Sequence, residues 1–309
     1  MGVIGFDTSN YTTSIAYFDG VQGENVSQLL PVREGELGLR QSDAVFHHTK
    51  SLPDLSDRLF SRLENREITA VGVSTRPRAV EGSYMPCFMV GNSYAKVLAG
   101  VLGVPLFTCS HQQGHVAAAL WSAGRMDLME VPHLAWHLSG GTTELLLVTP
   151  NCRNVDCQVI GGTTDISAGQ LIDRTGVMLS LPFPAGKGLD ILSQNAEKNA
   201  FFKVKCEDMR FSLSGVQNKV QQYFSSGNNP ADTAAYALRS VISAVVQATR
   251  QAQKAYPGLA VVFSGGVASN SLLRAETADI NPVFAEPRFS TDNALGVAIL
   301  TQRHMEEKL

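Results

Sequence analysis

The sequence predicts a two-domain α/β protein in which one structural unit is used twice. The first copy consists of two short apolar strands, residues 3–9 and 12–18, joined by the polar turn Asn10-Tyr11. The second copy, residues 133–148, has the same order: an apolar run, the turn Ser139-Gly140-Gly141, two threonines and a second apolar run. Such self-similarity indicates a repeated supersecondary unit. A chain of 309 residues is also long for one core and suits two domains.

Glycine-rich turns follow two of the apolar strands. Ser139-Gly140-Gly141 follows the first strand of the second copy, and Ser264-Gly265-Gly266 leads to Asn270 after the strand 259–263. Glycine lets the backbone approach a ligand because no Cβ intervenes, and the free amides can bind an anion. We interpret these turns, with the first turn of the chain, as the phosphate-binding parts of a nucleotide site. The alternative is that they are ordinary hairpin turns, which favour glycine on backbone grounds alone.

The remaining elements follow from periodicity and from breaker residues. A loop is predicted at 29–35, and a helix at about 43–63 that Pro53 interrupts or restarts. The apolar strand 70–75, a helix over 90–102 and a strand at 104–107 favour a parallel crossover. Further predictions are a hairpin loop at 148–159, helices at 163–181 and 230–256, and a last helix from 293 to about 308.

Histidines occur in two pairs with different spacing. His47 and His48 are adjacent, point to different faces of a helix and are interpreted as surface or packing residues. Ser110 and Gln113 form a capping box, so a helix should begin there and carry His111 and His115 one turn apart on one face. Two imidazoles at this spacing can hold Zn²⁺ or Fe²⁺ if a third ligand comes from elsewhere. The alternative for this pair is capping or packing.

Composition restricts the kinds of partner. A net charge of −3 and a pI near 6.2 exclude attraction of the whole surface to nucleic acid, so RNA contact needs a local basic patch. One candidate patch interleaves basic and aromatic side chains: Lys198, Phe201, Phe202, Lys203, Lys205, Arg210 and Phe211. The alternative for this stretch is a solvated rim over a hydrophobic edge.

Cysteine use and hydropathy indicate the compartment. The chain has five cysteines, an odd number, and their spacing matches no zinc motif. With no signal peptide, this pattern predicts a reducing cytoplasm. No apolar run approaches the roughly 20 residues that a membrane span requires, so no membrane partner is expected.

Six motifs in order resemble those of the tRNA threonylcarbamoyladenosine transferase family (TsaD). They are Gly5-x-Asp7-Thr8-Ser9, His111-Gln112-Gln113-Gly114-His115, Ser139-Gly140-Gly141-Thr142-Thr143, Phe211-Ser212-Leu213-Ser214-Gly215, Gly265-Gly266-Val267-Ala268-Ser269-Asn270 and Ser290-Thr291-Asp292-Asn293-Ala294. The resemblance implies an actin-like (ASKHA) α/β fold with two RNase H-like domains and a nucleotide cleft between them. It divides the chain into residues 1–108 with 293–309, and residues 109–292.

The resemblance also implies ligands and their residues. Fe²⁺ or Zn²⁺, one per subunit, would bind His111, His115 and Asp292. An adenine nucleotide or acyl-adenylate would contact Ser139, Gly140, Gly141, Asp173, Gly186, Asp190 and Asn270. A carboxylate can accept both ribose hydroxyls, which gives Asp173 and Asp190 a chemical role. Without the family, Asp190 reads equally well as a helix cap and Asp173 as a surface charge.

Several acids typical of the family are absent here. The Cys-Asp-Glu of its first turn is Asn10-Tyr11-Thr12, the Glu between the histidines is Gln113, and its Gly-Pro-Gly loop is Arg76-Pro77-Arg78. Other replacements are Thr142 for a histidine and Ile166 for the second residue of an Asp-Asp pair. The sequence is thus identified as a divergent member, and no general base is evident.

The function implied is transfer of threonylcarbamoyl from L-threonylcarbamoyl-AMP to an anticodon-loop adenosine of tRNA. One alternative is a non-catalytic, nucleotide-binding paralogue that regulates a true transferase. Another is a small-molecule kinase or carbamoyltransferase of the same superfamily. Expected partners are tRNA, an adenine nucleotide, a paralogous actin-like subunit in a heterodimer, and an ATPase.

Overall fold

The computed structural model describes residues 1–31, 39–63, 67–290 and 293–306. Its strands are β1 (Gly2–Thr8), β2 (Thr12–Phe18), β3 (Gly23–Leu29), β4 (Ile68–Ser74), β5 (Leu106–Cys109), β6 (His133–Leu138), β7 (Thr143–Asn151), β8 (Asn154–Thr163), β9 (Cys206–Glu207), β10 (Arg210–Phe211), β11 (Val261–Ser264) and β12 (Val283–Phe284). Its α-helices are α1 (Gln41–Phe60), α2 (Phe88–Leu102), α3 (His111–Ser122), α4 (Ala168–Met178), α5 (Gly186–Ser193), α6 (Ser214–Ser225), α7 (Pro230–Ala255), α8 (Ser271–Glu276) and α9 (Leu295–Met305).

The chain divides into two compact units. The first unit contains Met1–Val131, Thr149–Cys157 and Asp292–Leu309, and the second contains Pro132–Val148 and Gln158–Thr291. The division expected from the sequence, 1–108 with 293–309 against 109–292, differs in assigning residues 109–131, 149–157 and 292 to the second part. Residues 109–131 lie in the first unit because α3 packs against α9, where Gly114 and Gly296 bring the two backbones into close approach.

The first unit is built on a five-stranded sheet in the order β3-β2-β1-β4-β5. β1 pairs antiparallel with β2 and parallel with β4, and β4 pairs parallel with β5. One face is covered by α9, which comes so close that a Cβ at Gly5 or Gly72 would overlap it. The other face packs on apolar residues of α1 and α2, including Leu52, Leu55 and Ala95.

The second unit repeats this topology inside a larger sheet. Its seven strands lie in the order β12-β11-β6-β7-β8-β10-β9. The segment β8-β7-β6-β11-β12 matches β3-β2-β1-β4-β5, with an antiparallel first hairpin and two parallel pairs beyond it. The predicted repeat is therefore confirmed. The core contains the fully buried Trp136, whose indole N–H donates to Thr249 Oγ1 of α7 at 2.9 Å.

Pro53 does not interrupt the first helix, which corrects the sequence prediction. α1 is continuous with Pro53 inside it. Leu52, Leu55 and Leu59 on one face are fully buried. Packing of such a face contributes most of a helix's stability in a folded protein, so it offsets the hydrogen bond that proline removes.

Other element boundaries also differ from the prediction. β3 was not predicted, and the expected hairpin loop at 148–159 consists mostly of β7 and β8 with a turn at Cys152. The helix expected from 163 begins at Ala168, because Thr163 Oγ1 donates to the Ile166 carbonyl in a turn and Ser167 forms the capping box of α4. Part of the predicted loop at 29–35 and the end of the last helix lie outside the described residues.

Within the described ranges, no helix is both long enough and apolar enough to cross a membrane.

Candidate functional site

The carboxyl ends of the parallel strands of the first unit bring together polar side chains from distant parts of the sequence. Asp7 lies at the end of β1, Ser74 ends β4, and His111 begins α3 directly after β5. Asp7 is 2% exposed, and Ser74 Oγ donates to its Oδ1 at 2.9 Å. Its Oδ2 lies 2.6 Å from His111 Nδ1. An ionised carboxylate only accepts hydrogen bonds, so His111 Nδ1 carries the proton.

The two histidines of α3 share one face of the helix, as predicted from their spacing. The capping box of Ser110 and Gln113 begins α3. His111 Nε2 and His115 Nε2 lie 2.9 Å apart, with the ring planes at 85°. The hydrogen bond to Asp7 fixes the His111 tautomer and directs its Nε2 toward His115, the arrangement in which carboxylates support metal-binding histidines.

This geometry fits a metal ion in part. Two nitrogens bound tetrahedrally to one Zn²⁺ at about 2.0–2.1 Å lie about 3.3 Å apart, so the rings would need to separate by only a few tenths of an ångström. The third expected ligand, Asp292, lies outside the described residues. Asn293, the next residue that the structure describes, lies just before α9, which packs on α3 beside Gly114. Across the described ranges, no three or more His, Cys, Asp or Glu side chains are grouped to hold a metal.

The first turn of the chain presents no carboxylate. Asn10 Oδ1 accepts a hydrogen bond from Gln41 Nε2, and Tyr11 is 40% exposed. Thr12 is buried, and the next residue, Thr13, bonds through Oγ1 to His48 Nδ1 at 2.7 Å. His48 is therefore a packing residue, one of the two roles that the sequence left open for it. Burial lowers the pKa of His48 to about 4.

In the second unit, the turn after β6 rests on the start of α4. Ser139 N donates to the Thr142 carbonyl at 2.8 Å, which closes the turn. The Gly140 carbonyl accepts a hydrogen bond from Ser167 Oγ at 2.6 Å, and a Cβ on Gly169 would lie 2.5 Å from Ser139 O. A Cβ built on Gly140 itself meets nothing within 4 Å. One side of the turn thus rests on the start of α4, and the space next to Gly140 is open.

The second glycine turn lies against the first. β6 and β11 are parallel neighbours, so their carboxyl ends meet at one edge of the sheet. Gly265 has φ +92°, and a Cβ there would lie 2.2 Å from the Leu138 carbonyl oxygen. Only glycine fits this approach, which sets the turn beginning at Gly265 beside the Ser139 turn. Ligands of open α/β sheets bind at this kind of edge.

Asp190 and Asn270 meet at the start of α8. Asn270 caps this helix through Oδ1, and its Nδ2 donates to Asp190 Oδ1 at 3.1 Å. Ser271 donates to both oxygens of Asp190, from its hydroxyl at 2.8 Å and from its backbone N–H at 3.0 Å. The structure thus brings together two predicted nucleotide residues and joins Asp190 to a helix terminus, the capping role named as its alternative.

Asp173 and Gly186 are also neighbours. Asp173 on α4 is partly buried, and its Oδ1 accepts a hydrogen bond from Ala185 N at 2.8 Å, directly before α5. Burial raises the pKa of Asp173, although the Ala185 N–H opposes the shift. Asp173 is therefore only partly exposed and is held by a backbone hydrogen bond. Contacts connect the predicted residues at one edge of the sheet: the Ser139 turn contacts α4, α4 contacts the start of α5, α5 contacts the start of α8, and the Gly265 turn before α8 lies against the Ser139 turn. We call this set the nucleotide circuit.

Two positions in these sites were not assigned a role from the sequence. Asp7 was noted only as part of a motif, although it orients His111. Asp165 was placed inside a helix, but it accepts hydrogen bonds from the hydroxyls of Ser212 and Ser214 and from two backbone N–H groups at the start of α6. Partial burial alone would raise its pKa, but these hydrogen bonds hold the pKa of Asp165 well below its usual range. The spacing of Ser212 and Ser214 was the feature of the sequence that could have indicated this contact.

A duplicated sheet of this topology, with glycine turns at the strand ends, defines the class of actin-like ASKHA proteins. The solved structure of component A of (R)-2-hydroxyglutaryl-CoA dehydratase from Acidaminococcus fermentans superposes with a TM-score of 0.58 at 16% identity, over 99% of each chain. The ROK hexokinase of Thermus thermophilus gives 0.56 at 15% identity, over 99% of this chain and 100% of the hexokinase. These similarities establish the fold.

Sequence similarity identifies the family within this class. Residues 35–299 match the family of tRNA N6-adenosine threonylcarbamoyltransferases. The protein of that name from Thermosipho africanus (strain TCF52B) is 30% identical over 317 aligned positions, covering 97% of this chain and 93% of the relative. The chain belongs to the tRNA N6-adenosine threonylcarbamoyltransferase family, a family of transferases.

Proposed function

We propose that this protein transfers the threonylcarbamoyl group of L-threonylcarbamoyl-AMP to N6 of an anticodon-loop adenosine in tRNA. One observation carries the proposal beyond family membership. Equivalent strand ends of the two repeats hold complementary chemistry: the Asp7–His111–His115 chain in the first unit, and the circuit of glycine turns and polar side chains in the second.

The second unit would hold the nucleotide part of the substrate. The backbone amides of Gly140 and Gly141 would bind the phosphate, since a Cβ on Gly140 meets nothing within 4 Å, while the Ser139 amide closes the turn on the Thr142 carbonyl. The nucleoside would lie against the remaining members of the circuit, which are Asp173, Gly186, Asp190 and Asn270. Asp190 and Asn270 are held together by a hydrogen bond, so they offer a fixed surface to a ribose.

The first unit would hold the metal. His111 and His115, with Asp292, would bind Fe²⁺ or Zn²⁺, and Asp7 would keep the Nδ1 proton on His111 so that Nε2 is the donor atom. A bound cation supplies Lewis-acid stabilisation of negative charge on a phosphate or carbonyl oxygen.

The reaction is a direct displacement. N6 of the adenosine forms a bond with the carbamoyl carbon, the bond from that carbon to the phosphate oxygen breaks, and AMP leaves with the electron pair while N6 loses one proton. No covalent intermediate with the protein is required. The described first turn supplies no carboxylate to take the proton, because Asn10, Tyr11 and Thr12 occupy it.

We place the reaction in the cytoplasm and expect protein partners. The five cysteines are all free thiols, which suits a reducing compartment. α2 exposes a stripe of apolar side chains, Met89, Val97 and Val101, at intervals of four or eight residues. This stripe supports association with a paralogous actin-like subunit in a heterodimer, with an ATPase as a further partner.

A second candidate function is that of a nucleotide-binding regulator of a true transferase. It is favoured by Tyr11 and Thr12, which stand where the family has two acids. The hydrogen bond between His111 and Asp7 favours catalysis instead, because a regulator has little use for two histidines arranged to bind a metal.

Mass spectrometry of tRNA nucleosides distinguishes these functions. In a strain lacking the gene, threonylcarbamoyladenosine should fall, and it should return with the wild-type gene but not with His111→Ala. His47→Ala, which changes a histidine outside the Asp7–His111–His115 chain, is the matched control and should restore the nucleoside. Equal restoration by wild type and His111→Ala would favour the regulator. An unchanged nucleoside level in the deletion strain would contradict the proposal.

A further inference from the structure

A groove on the second unit lies over α7, on the helix face that the core does not use. α7 is buried around most of its circumference, but a stripe that includes Arg239, Ser243, Val246 and Arg250 is not. These positions repeat at three to four residues and so lie along one side of the helix. With α8 on one side and residues 199–203 on the other, they enclose about 440 Å³. Ligand pockets are typically about 300–1,000 Å³.

One wall of the groove is a ribbon, residues 199–205, that α7 fixes through its side chains. Arg239 donates to the Lys198 carbonyl at 2.8 Å, and Ser240 Oγ accepts from Phe202 N at 2.9 Å. Gln247 Nε2 donates to the Val204 carbonyl at 3.3 Å. Side chains of α7 thus hold backbone groups at Phe202 and Val204 within the ribbon and at Lys198 directly before it, so the outward side chains have a rigid base.

Alternation along the ribbon separates the residues that pack from those that face solvent. Phe202 packs against the core and Val204 is 3% exposed. Phe201, Lys203 and Lys205 are exposed, and Phe201 has 48% of its surface accessible. The ribbon therefore presents an aromatic ring next to a cation on its outer side.

Charge in the groove is predominantly positive. Lys203, Arg239 and Arg250 line it against one acid, Glu276. Lys203 makes no ion pair with any residue that the structure describes. Arg250 pairs with Asp279 at 3.2 Å, but both side chains are more than half exposed, and such a surface pair contributes little. Arg250 can therefore exchange this partner for a phosphate.

The spacing of the cations indicates an extended ligand. Arg239 and Arg250 are 11 residues apart on α7, which is about 16 Å along the helix axis. A single phosphate cannot reach both ends, whereas a nucleic-acid strand can. Aromatic rings beside cations bind unpaired nucleotides by base stacking and phosphate contact together.

We propose that this groove binds an unpaired segment of the tRNA, with one base stacked on Phe201 and the backbone on Lys203, Arg239 and Arg250. The inference rests on the proposed function, because it assigns to the second unit a contact surface for the same tRNA substrate. The groove and the nucleotide circuit share α8 but use different residues: Leu272 and Glu276 line the groove, whereas Asn270 at the start of the helix belongs to the circuit.

The test measures binding of an unmodified tRNA transcript to the full chain by fluorescence anisotropy over a range of salt concentrations. Phe201→Ala should weaken binding at least about fivefold, and Phe201→Trp should restore it, because it returns a stacking surface. Lys203→Ala should lower the slope of log affinity against log salt by about 0.7–1. Lys254→Ala, an exposed lysine at the end of α7 outside the groove, is the matched control and should bind as wild type does.

The outcomes separate this inference from the proposed function. AMP affinity, measured by calorimetry on the same proteins, should be equal in all variants. Wild-type tRNA affinity in both Phe201→Ala and Lys203→Ala would overturn the groove assignment and leave the proposed function intact. A loss of AMP affinity in Lys203→Ala would show that the groove holds a free nucleotide, which also overturns it. Absence of tRNA binding by wild type that still binds AMP would overturn both.

Discussion

The two units share a topology but use their strand ends differently. In the first unit, side chains are prominent: a buried carboxylate at the end of β1 is hydrogen-bonded to His111, whose ring meets that of His115 on α3. In the second unit, the backbone is prominent, because the turns after β6 and β11 contain glycines that pack against each other or leave open space. The comparison teaches that one repeated scaffold can place a histidine pair at the strand ends of one copy and open glycine turns at those of the other, according to which residues follow its strands.

The largest effect is expected where the second unit depends on glycine geometry. Gly265→Ala should destabilise the protein by about 3 kcal/mol or more, because a Cβ there overlaps the Leu138 carbonyl and the φ of +92° strains any other residue. Gly266→Ala is the matched control, since a Cβ at that position meets nothing within 4 Å. Urea unfolding measures both. Equal stability of the two variants would show that the glycine turns do not pack as described.

A stability effect of similar size is expected from pH in the first unit. Burial lowers the pKa of His48 to about 4, against 6.5 for an exposed histidine, so the unfolded chain binds its proton first. The free energy of unfolding should therefore fall by about 3 kcal/mol, from this group alone, as pH decreases from 6.5 to 4, and should then level off. The measurement is the difference between wild type and His48→Gln in urea unfolding across this range.

His47→Gln serves as the control for that experiment, because it changes the adjacent histidine, which is not fully buried. It should keep most of the wild-type pH dependence, because burial is the largest cause of the low His48 pKa and the charge of His47 the smallest. A His48→Gln protein that loses stability with falling pH as steeply as wild type would contradict the burial of a neutral His48 beside Thr13.

The metal-type site provides the next effect. Asp7→Asn should lower Zn²⁺ or Co²⁺ affinity about 10- to 100-fold, because an amide no longer favours the His111 tautomer that directs Nε2 outward. Competition with a chelator measures this without any assay of activity. Ser74→Ala removes only a hydrogen bond to the other oxygen of Asp7 and should have a smaller effect. An Asp7→Asn protein with wild-type metal affinity would remove Asp7 from the site.

The smallest effect concerns the open glycine of the second unit. Gly140→Val should lower AMP affinity more than tenfold without unfolding the protein, because the new side chain occupies the space above the turn and blocks at least one charge-assisted hydrogen bond. Gly100→Val in α2, where a Cβ also meets nothing, should bind AMP normally. Calorimetry compares them. Unchanged affinity in Gly140→Val would place the nucleotide elsewhere.

Features that depend on residues close together in the sequence were predicted better than contacts between residues far apart in the sequence. The repeat was visible as two strand–turn–strand segments, and the capping box at Ser110 predicted α3 and the shared face of its histidines. Asp7 and His111 are 104 residues apart, so their contact depends on the parallel pairing of β1, β4 and β5. Asp165 likewise binds a loop 47 to 49 residues away. The prediction at Pro53 was wrong because it considered only the tendency of proline to break a helix and not the burial of the leucines around it.

The central claim is that nucleotide binding has been retained in the second unit while the reacting turn of the first has lost its acids. Transfer of radiolabelled threonine from threonylcarbamoyl-AMP to tRNA tests this most directly. The wild-type protein alone should transfer slowly, and Tyr11→Asp, alone and with Thr12→Glu, should raise the rate by up to about a hundredfold, since one well-placed electrostatic partner contributes on the order of 3 kcal/mol. The single variant is included because Thr12 is buried and Tyr11 is exposed. Rapid transfer by wild type without partners, unchanged in both variants, would contradict the account.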